Sequence, residues 1–354
     1  MIVKNLYLEN FRNYDMQTID FGEKKNVFYG FNGQGKTNII EALYYFCTCK
    51  SFRSIYDKEI IKFGCDYSKI NLEFEASKRE NNAQIFITEK KSVKLNGANL
   101  ERLSELIGTA NMVIFTPSQL NLIREGPGVR RNFLDILISQ IKPLYFKNLM
   151  SYYKILKQRN VILKSKNQKM TDTIDIWDDK LAQYGVNICL LRDEYLKKMN
   201  YFLSILEYNN ENISVSYNPS IKDDFSSKDN FVNILKKNID KDLEKGMTLI
   251  GPHRDDFDID INGISLKKYG SQGQTRTGIL KMKIAECEMI NEIIGEQPLL
   301  LLDDILSELD ENRRKYFMEK IKDRQVIITC TDKEFIKDKE SCFFNVNNGS
   351  VRKE

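Results

Sequence analysis

The segment Gly30-Phe-Asn-Gly-Gln-Gly-Lys-Thr37 decides the fold of this chain. It fills every fixed position of the phosphate-binding pattern G-x-x-x-x-G-K-[ST]. The apolar run Val27-Phe-Tyr29 precedes it, and a helical pattern follows it as far as Phe46. Glycines let a chain wrap closely around an anion, with backbone N–H groups pointing inward. The alternative is a glycine-rich turn with a chance lysine, which this strand-loop-helix context disfavours.

The same segment predicts a site for ATP with Mg²⁺. The positive end of the following helix would face the phosphates. Lys36 would reach the β- and γ-phosphates and assist catalysis, while the Thr37 hydroxyl would hold the metal. The predicted ATP-binding residues of the loop are Gly30, Phe31, Asn32, Gly33, Gln34, Gly35, Lys36 and Thr37.

The composition is that of a globular protein that can bury a large core. Of 354 residues, 42% are hydrophobic and 29% are charged, which allows one large domain or two. No apolar run predicts a membrane span, and the charged start of the chain is unlike a secretory signal. Seven cysteines without metal-ligand spacing and the single histidine, His253, exclude a multi-histidine zinc site and predict a cytoplasmic protein with reduced thiols.

The order of the patterns indicates an α/β fold interrupted by a helical insertion. Strand patterns cover residues 2–13, 27–29, 69–75, 84–88, 112–116, 213–216, 247–266, 298–302 and 325–329. Helical patterns cover residues 128–206, 274–294 and 311–322. We therefore predict a discontinuous ATPase lobe, residues 1–116 and 246–354, and a mostly helical second lobe, residues 117–245.

The run Leu299-Leu-Leu-Leu-Asp-Asp304 predicts the second half of the nucleotide site. A fully apolar strand is typical of a buried parallel sheet, and carboxylates at its end would meet the phosphate-binding loop at the sheet edge. Asp303 would hold Mg²⁺, and Asp304 would orient or deprotonate the attacking water. Paired acids at a surface turn are the alternative.

Ser271-Gln272-Gly273-Gln274 precedes a predicted helix and indicates a second anion site. One phosphate-binding loop suffices for a chain to hold its own ATP. We therefore expect this segment of one subunit to contact the γ-phosphate held by another, with Ser307-Glu-Leu-Asp310 along the same interface. A flexible loop is the alternative.

Taken together, these motifs resemble ABC-type ATPases of the SMC-like branch and, over essentially the whole chain, the RecF family. Further segments that carry the resemblance are Leu8-Glu-Asn-Phe-Arg-Asn-Tyr14, Arg130-Arg-Asn-Phe-Leu-Asp135, Gln158-Arg-Asn160 and Gly251-Pro-His-Arg-Asp-Asp256. The resemblance implies an ABC/SMC-type head with a helical lobe. It also implies a weak, DNA-dependent ATPase that dimerises on ATP and acts with RecO and RecR to load the strand-exchange protein at gapped DNA, in repair, replication restart and the SOS response.

Two positions depart from related patterns. Transporter ATPases place Glu where this chain has Asp304, although RecF-like proteins share the Asp. Ser118-Gln119 replaces acidic residues of the family, which weakens Gln119 as a Mg²⁺-sensing glutamine. The resemblance also places Arg12 near phosphate, and His253 and Arg254 near the nucleotide or the dimer interface. A surface arginine and a charged Gly-Pro turn are the alternatives.

Residues 136–171 contain no acid and predict a DNA-binding helix face. About five phosphates would be contacted without base-specific readout. A solvated lysine-rich helix is the alternative, and Arg130 and Arg131 would either join the contact or pair with Glu125 or Asp135. The basic residues are Lys142, Lys147, Lys154, Lys157, Arg159, Lys164, Lys166 and Lys169, with Tyr145, Tyr152 and Tyr153 among them.

Three other functions compete with an ATP-gated DNA clamp. A transporter nucleotide-binding subunit would need a membrane partner and gives no reason for the basic insertion. A small-molecule kinase would not need the Ser271 segment, and a structural SMC head would need a long arm for which the chain has no room.

Overall fold

The computed structural model describes residues 1–54, 56–165, 173–333, 336 and 340–354. Within them the chain forms two compact units. The first unit comprises Met1–Asn121 and Arg276–Glu354, and the inserted unit comprises Leu122–Thr275. In the described part, no helix is long and apolar enough to cross a membrane.

The strands and helices are numbered in chain order. The strands are β1 (Ile2–Phe11), β2 (Tyr14–Asp20), β3 (Lys25–Tyr29), β4 (Ser68–Ala76), β5 (Arg79–Ile87), β6 (Lys91–Leu95), β7 (Ala98–Leu100), β8 (Met112–Phe115), β9 (Ile213–Asn218), β10 (Asp256–Ile261), β11 (Ile264–Ser265), β12 (Leu299–Asp303), β13 (Val326–Cys330), β14 (Cys342–Asn347) and β15 (Ser350–Lys353). The helices are α1 (Lys36–Thr48), α2 (Pro127–Ile141), α3 (Pro143–Ser165), α4 (Ile174–Ile205), α5 (Lys228–Lys237), α6 (Ile239–Lys245), α7 (Leu266–Tyr269), α8 (Gln272–Ile294) and α9 (Glu311–Lys320).

A mostly parallel sheet of six strands forms the centre of the first unit, in the order β15-β14-β3-β13-β12-β8. Only the edge strand β15 runs antiparallel to its neighbour. Every residue of β12 and β13 is buried, which explains their continuous apolar runs. Since β3 pairs with β13 and β14, the sheet closes only when both halves of the first unit fold together. The predicted α/β class with an insertion is confirmed.

A second sheet of the first unit is antiparallel, in the order β2-β1-β4-β5-β6-β7. The hairpin between β6 and β7 turns at Asn96-Gly97, where both residues have positive φ, 51° and 82°. This is the conformation that type I′ turns require and that Asn-Gly favours. Strands β2, β6, β7, β14 and β15 are absent from the set predicted from the sequence.

The inserted unit packs α2, α3 and α4 with a sheet of order β11-β10-β9. Strand β10 pairs antiparallel with β9, from Asp256 opposite Asn218 to Ile261 opposite Ile213. Residues 246–275 therefore belong to the inserted unit, whereas the sequence assigned them to the ATPase lobe. The observed boundaries fall at residues 121 and 275 instead of 116 and 245, because β10 finds its partner strand within the insertion.

A buried ion-pair cluster holds α3 within the inserted unit. Arg159 is fully buried, and its Nε donates to Asp178 Oδ1 on α4 at 2.6 Å. Its Nη1 donates to Asp242 Oδ2 on α6 at 2.6 Å and to Thr248 Oγ1 at 2.8 Å. Burial raises the pKa of Asp178, and the bonds from Arg159 oppose that rise. One side chain thus joins four segments of the insertion.

We expect Arg159→Ala to destabilise the protein by about 3–5 kcal/mol, because it leaves two buried carboxylates without their cation. Lys157→Ala is the matched control, since Lys157 is an exposed residue of the same helix; its effect should stay within about 0.5 kcal/mol. Thermal and urea unfolding of both variants measure the difference. Equal, small losses would show that the cluster does not stabilise the unit.

Candidate nucleotide-binding site

The phosphate-binding loop connects β3 to α1 through glycines with positive φ. Gly30, Gly33 and Gly35 have φ of 151°, 81° and 117°, a region that side chains with a Cβ rarely adopt. Helix α1 begins at Lys36 with no side-chain cap and with no acid in its first turn. The first N–H groups of an α-helix lack the usual intrahelical acceptor. Here the N–H of Asn38 donates to the carbonyl of Gly35 at 3.0 Å, and the start of the helix suits an anion.

Lys36 lies folded over its own loop. Its Nζ donates to the carbonyls of Gly30 at 2.7 Å and Phe31 at 3.0 Å, and the residue is 4% exposed. Because an ammonium has three donors, Lys36 can hold the loop and still donate to a phosphate oxygen.

Thr37 and Asp303 meet as the sequence predicted. The Thr37 hydroxyl donates to Asp303 Oδ1 at 2.9 Å, and the Thr329 hydroxyl of β13 donates to the same oxygen at 2.8 Å. Burial raises the pKa of Asp303, while these two bonds lower it. A hydroxyl and a carboxylate are the hard oxygen ligands that Mg²⁺ takes beside phosphate and water, so the residues present fit that ion.

Asp304 follows in the left-handed conformation, with φ of 51°. Its N–H donates to Thr329 Oγ1 at 3.0 Å, and its carbonyl accepts from Ser307 Oγ at 2.7 Å. These bonds fix the backbone beside a cavity of about 150 Å³, which has room for several waters. The lining residues are Asn32, Asp304, Ser307, Thr329, Cys330 and Thr331. The arrangement can position a water between the loop and a carboxylate.

Ser271 to Gln274 form a capping box at the start of α8. Ser271 Oγ accepts from the N–H of Gln274 at 3.1 Å, and Gln274 Oε1 accepts from the N–H of Ser271 at 3.0 Å. Such reciprocal bonds satisfy two N–H groups of a helix start. Ser271 and Gln272 are exposed, Gly273 is half-buried, and the first turn of α8 holds no acid. The segment is an ordered helix start, and its contact with a second subunit stays a prediction.

Arg12 pairs with an acid of its own unit. Its Nε and Nη2 donate to the two carboxylate oxygens of Glu41 on α1, at 2.9 and 2.5 Å, and Glu41 is fully buried. A third bond joins Nη1 to the carbonyl of Glu59 at 2.5 Å. These bonds fasten the β1–β2 turn to α1, and phosphate contact by Arg12 stays a prediction.

The predicted DNA-binding face is narrower than the sequence suggested. Arg159, Tyr145 and Tyr152 are buried, so they cannot touch DNA at this surface. Arg130 is also buried, and its Nε and Nη2 donate to the two carboxylate oxygens of Asp256 at 2.6 and 2.9 Å. Arg131 donates to the carbonyl of Asp255 at 2.6 Å. The described lysines of the face are all exposed: Lys142, Lys147, Lys154, Lys157 and Lys164. Lys166 and Lys169 lie outside the described residues.

His253 is held inside the inserted unit. Its Nδ1 shares a hydrogen bond of 2.7 Å with the Tyr152 hydroxyl, and its Nε2 is 2.9 Å from the carbonyl of Thr248. Burial lowers the pKa of His253 to about 4, so the ring is neutral at physiological pH. Both ring nitrogens serve the packing of the 251–256 segment, and a role at the nucleotide or the dimer interface stays a prediction.

Sequence reasoning missed several residues beside the loop. The Thr329 hydroxyl donates to the Asp303 carboxylate and accepts from the backbone N–H of Asp304. Asn13 Nδ2 donates to the carbonyl of Gln34 at 2.9 Å. Arg53 Nη1 donates to Asn38 Oδ1 at 2.7 Å. Thr329 had a usable signal, because it lies near the carboxyl end of β13, the parallel strand next to β12, and such ends meet at one edge. Asn13 was quoted only as part of the Leu8–Tyr14 segment, without a role, and Arg53 had no signal, since both positions depend on turns.

The chain matches the family model of the RecF/RecN/SMC N terminal domain over residues 2–350. A DNA replication and repair protein RecF from Clostridium botulinum is 42% identical over 363 residues, covering 100% of both chains. A protein of the same description from Clostridium beijerinckii is 43% identical over 362 residues, covering 99% of this chain and 98% of its own.

Solved structures agree with these relatives. The recombination mediator protein RecF with ATP, in the RecFOR pathway, superposes with a TM-score of 0.93 at 37% identity, covering 100% of this chain and 97% of that one. The Smc head domain of Pyrococcus furiosus bound to the C-terminal domain of ScpA gives 0.56 at 15% identity, covering 100% and 96%, and shares the fold alone. The expected ABC/SMC-type head is confirmed, and the transporter alternative finds no support in these similarities.

Proposed function

Because this chain belongs to the RecF family, we propose that it is an ATP-dependent DNA-binding protein of recombinational repair and replication restart. Two copies close on ATP, and weak DNA-dependent hydrolysis lets them open. With RecO and RecR, the closed dimer helps load the strand-exchange protein at gapped DNA, in the cytoplasm. The free state of all seven cysteines suits that reducing compartment.

The bond between Thr37 and Asp303 carries the proposal. It joins the phosphate-binding loop to the end of β12 across 266 positions of sequence. Either motif alone occurs by chance, whereas their contact assembles the oxygen ligands and the anion site of a nucleotide-hydrolysing enzyme.

The residues divide the work of hydrolysis. The uncapped start of α1 and Lys36 bind and orient the phosphates, so that positive charge already surrounds the group being transferred. Thr37 and Asp303 would hold Mg²⁺, which would neutralise negative charge on the phosphates during transfer. Asp304 accepts a proton from a water in the adjoining cavity.

The nucleoside end fits a larger cavity of about 830 Å³. Asn13 and Asn38 line it next to the loop, while Arg53, Ile61 and Phe63 supply charge and apolar surface. Phe63 is fully exposed, which leaves an aromatic face for a base to stack on.

The helix tip at Ser271 serves a second copy. Its exposed hydroxyl and acid-free first turn suit the γ-phosphate bound by the partner. Loss of that phosphate on hydrolysis removes the contact, so ATP and its products favour different states of the dimer.

Two substitutions in the first unit should fail differently. Lys36→Ala should weaken ATP binding, because it removes charge-assisted bonds worth about 1.5–3 kcal/mol each. Asp304→Asn should still bind ATP and dimerise, yet lose roughly 10²–10⁴ in turnover, the usual share of general-base catalysis. Calorimetry, sedimentation and phosphate release separate these steps. An Asp304→Asn variant with the parent's rate would remove the base assignment.

Mixing two inactive variants tests the shared pocket. Lys36→Ala disrupts the phosphate-binding loop, and Ser271→Arg disrupts the helix tip. A mixed dimer of the two variants retains one intact pocket of two. Because random pairing makes about half of the dimers mixed, an equal mixture should recover about a quarter of the parent's activity at most. Ser227→Arg is the matched control, because Ser227 caps α5 by accepting from the N–H of Asn230. It loses the same kind of cap and should stay active. Mixtures that remain inactive while both variants fold would contradict a shared pocket.

The five exposed lysines of the predicted DNA-binding face, Lys142 and four on α3, predict a strong salt dependence of DNA binding. About five phosphate contacts give a slope of log K against log salt of about −4 to −5, measured by fluorescence anisotropy on gapped duplex. Lys154→Ala with Lys157→Ala should reduce that slope by about 2. Lys197→Ala with Lys198→Ala is the control, since these lysines pair with Asp193 and Glu194 on α4. A flat salt response would exclude this face.

A further inference from the structure

The turn of the β14–β15 hairpin lies against the phosphate-binding loop. The N–H of Asn348 donates to Gln34 Oε1 at 2.8 Å, and the N–H of Gly349 donates to the Gln34 carbonyl at 3.1 Å. Gln34 occupies a variable position of the motif, so the pattern itself asks nothing of this side chain. Here, both its amide oxygen and its backbone are held by one distant turn.

The β1–β2 turn holds the loop from a second direction. Asn13 Nδ2 donates to the same Gln34 carbonyl at 2.9 Å, and Asn13 Oδ1 accepts from Asn38 Nδ2 of α1 at 2.7 Å. The Tyr14 hydroxyl donates to the carbonyl of Gly35 at 3.1 Å. Two consecutive carbonyls of the loop are therefore fixed from outside it.

The β14–β15 hairpin packs closely against both the β1–β2 turn and the phosphate-binding loop. A Cβ on Gly349 would lie 2.4 Å from the carbonyl oxygen of Asn13. A Cβ on Gly30, at the other end of the loop, would lie 2.3 Å from the carbonyl oxygen of Val346 in β14. The hairpin thus contacts the loop at its start and near its end.

Peptide geometry connects these outer contacts to the anion site. In a planar trans peptide the C=O and the following N–H point in opposite directions. Holding the carbonyls of Gln34 and Gly35 outward therefore turns the N–H groups of Gly35 and Lys36 away from the two turns. Those N–H groups stand at the start of α1, where an anion would bind. A glycine-rich loop without such ties would lose more entropy on binding.

We propose that the β14–β15 hairpin is a positioning element of the nucleotide site: with Asn13, its Asn348-Gly349 turn sets the phosphate-binding loop in its anion-binding conformation before ATP arrives. Gly349, Asn13 and Gln34 act through the loop backbone, so they are positioning residues. The inference rests on the proposed ATP binding.

The chain supplies a matched control for this turn. Asn348-Gly349, with φ of 46° and 72°, has the same form as Asn96-Gly97 between β6 and β7, with φ of 51° and 82°. Nothing lies within 4 Å of a Cβ on Gly97, whereas one on Gly349 meets Asn13. Gly349→Ala and Gly97→Ala therefore share the backbone strain of alanine at positive φ, and only the first displaces a turn from the loop.

Binding of MgATP to the parent, Gly97→Ala and Gly349→Ala, measured by calorimetry, tests the proposal. We expect Gly97→Ala to bind within about twofold of the parent and Gly349→Ala to bind at least about tenfold more weakly, the equivalent of one net hydrogen bond. Turnover at saturating ATP should fall less than threefold, because Asp304 is untouched. Thermal unfolding without nucleotide should show both variants folded, with the larger loss in Gly349→Ala, whose Cβ also meets Asn13.

A second variant guards against a purely structural effect. Gln34→Met removes the Oε1 acceptor while keeping a side chain of similar length. Its loss of MgATP affinity should not add to that of Gly349→Ala in the double variant, since both substitutions disrupt the same contact between the turn and the loop. Equal MgATP affinities of folded Gly349→Ala and Gly97→Ala would overturn the inference and leave ATP binding intact. A parent that binds no MgATP would instead overturn the proposed function, and this inference with it.

Discussion

The hydrogen bond from Thr37 to Asp303, 2.9 Å long, is the constraint on which the rest of the structure depends. Thr37 stands at the start of α1 and Asp303 at the end of β12, so the bond forms only if β13 pairs with both β3 and β12 in parallel register. The chain must then leave this sheet, fold the inserted unit and return to it. The order of the strands therefore brings the phosphate-binding loop and the end of β12 together into one site.

The inserted unit shows why a basic stretch of sequence should not be counted as one surface. Residues 136–171 contain no acid, yet Arg159 within them finds Asp178 and Asp242 from other helices. The planar guanidinium donates in several directions at once and suits buried pairs, whereas an ammonium is strongly hydrated. The arginine is therefore structural, and the exposed lysines are the residues of this stretch that we propose for phosphate contact.

Sequence reasoning located the parts of the fold that rest on local signals. The glycine loop, the apolar strand β12 and the long helices each carry their own pattern. The second domain boundary could not be predicted in this way, because β10 pairs with β9 through contacts that no local pattern encodes. The β6–β7 and β14–β15 hairpins were missed although Asn96-Gly97 and Asn348-Gly349 are strong turn signals. Such a dipeptide predicts a turn, but not the loop against which the turn packs.

The Ser271 segment shows that a structural and a functional interpretation can both hold for one side chain. Ser271 Oγ accepts from the N–H of Gln274, which caps α8 and fixes the direction of the hydroxyl. A hydroxyl has one donor besides its acceptor lone pairs, and capping uses only an acceptor. The proton of Ser271 can therefore be donated to an anion without loss of the cap. The cap orders the helix tip during folding. The γ-phosphate of ATP bound by a second subunit would therefore meet a donor that loses little further entropy on contact.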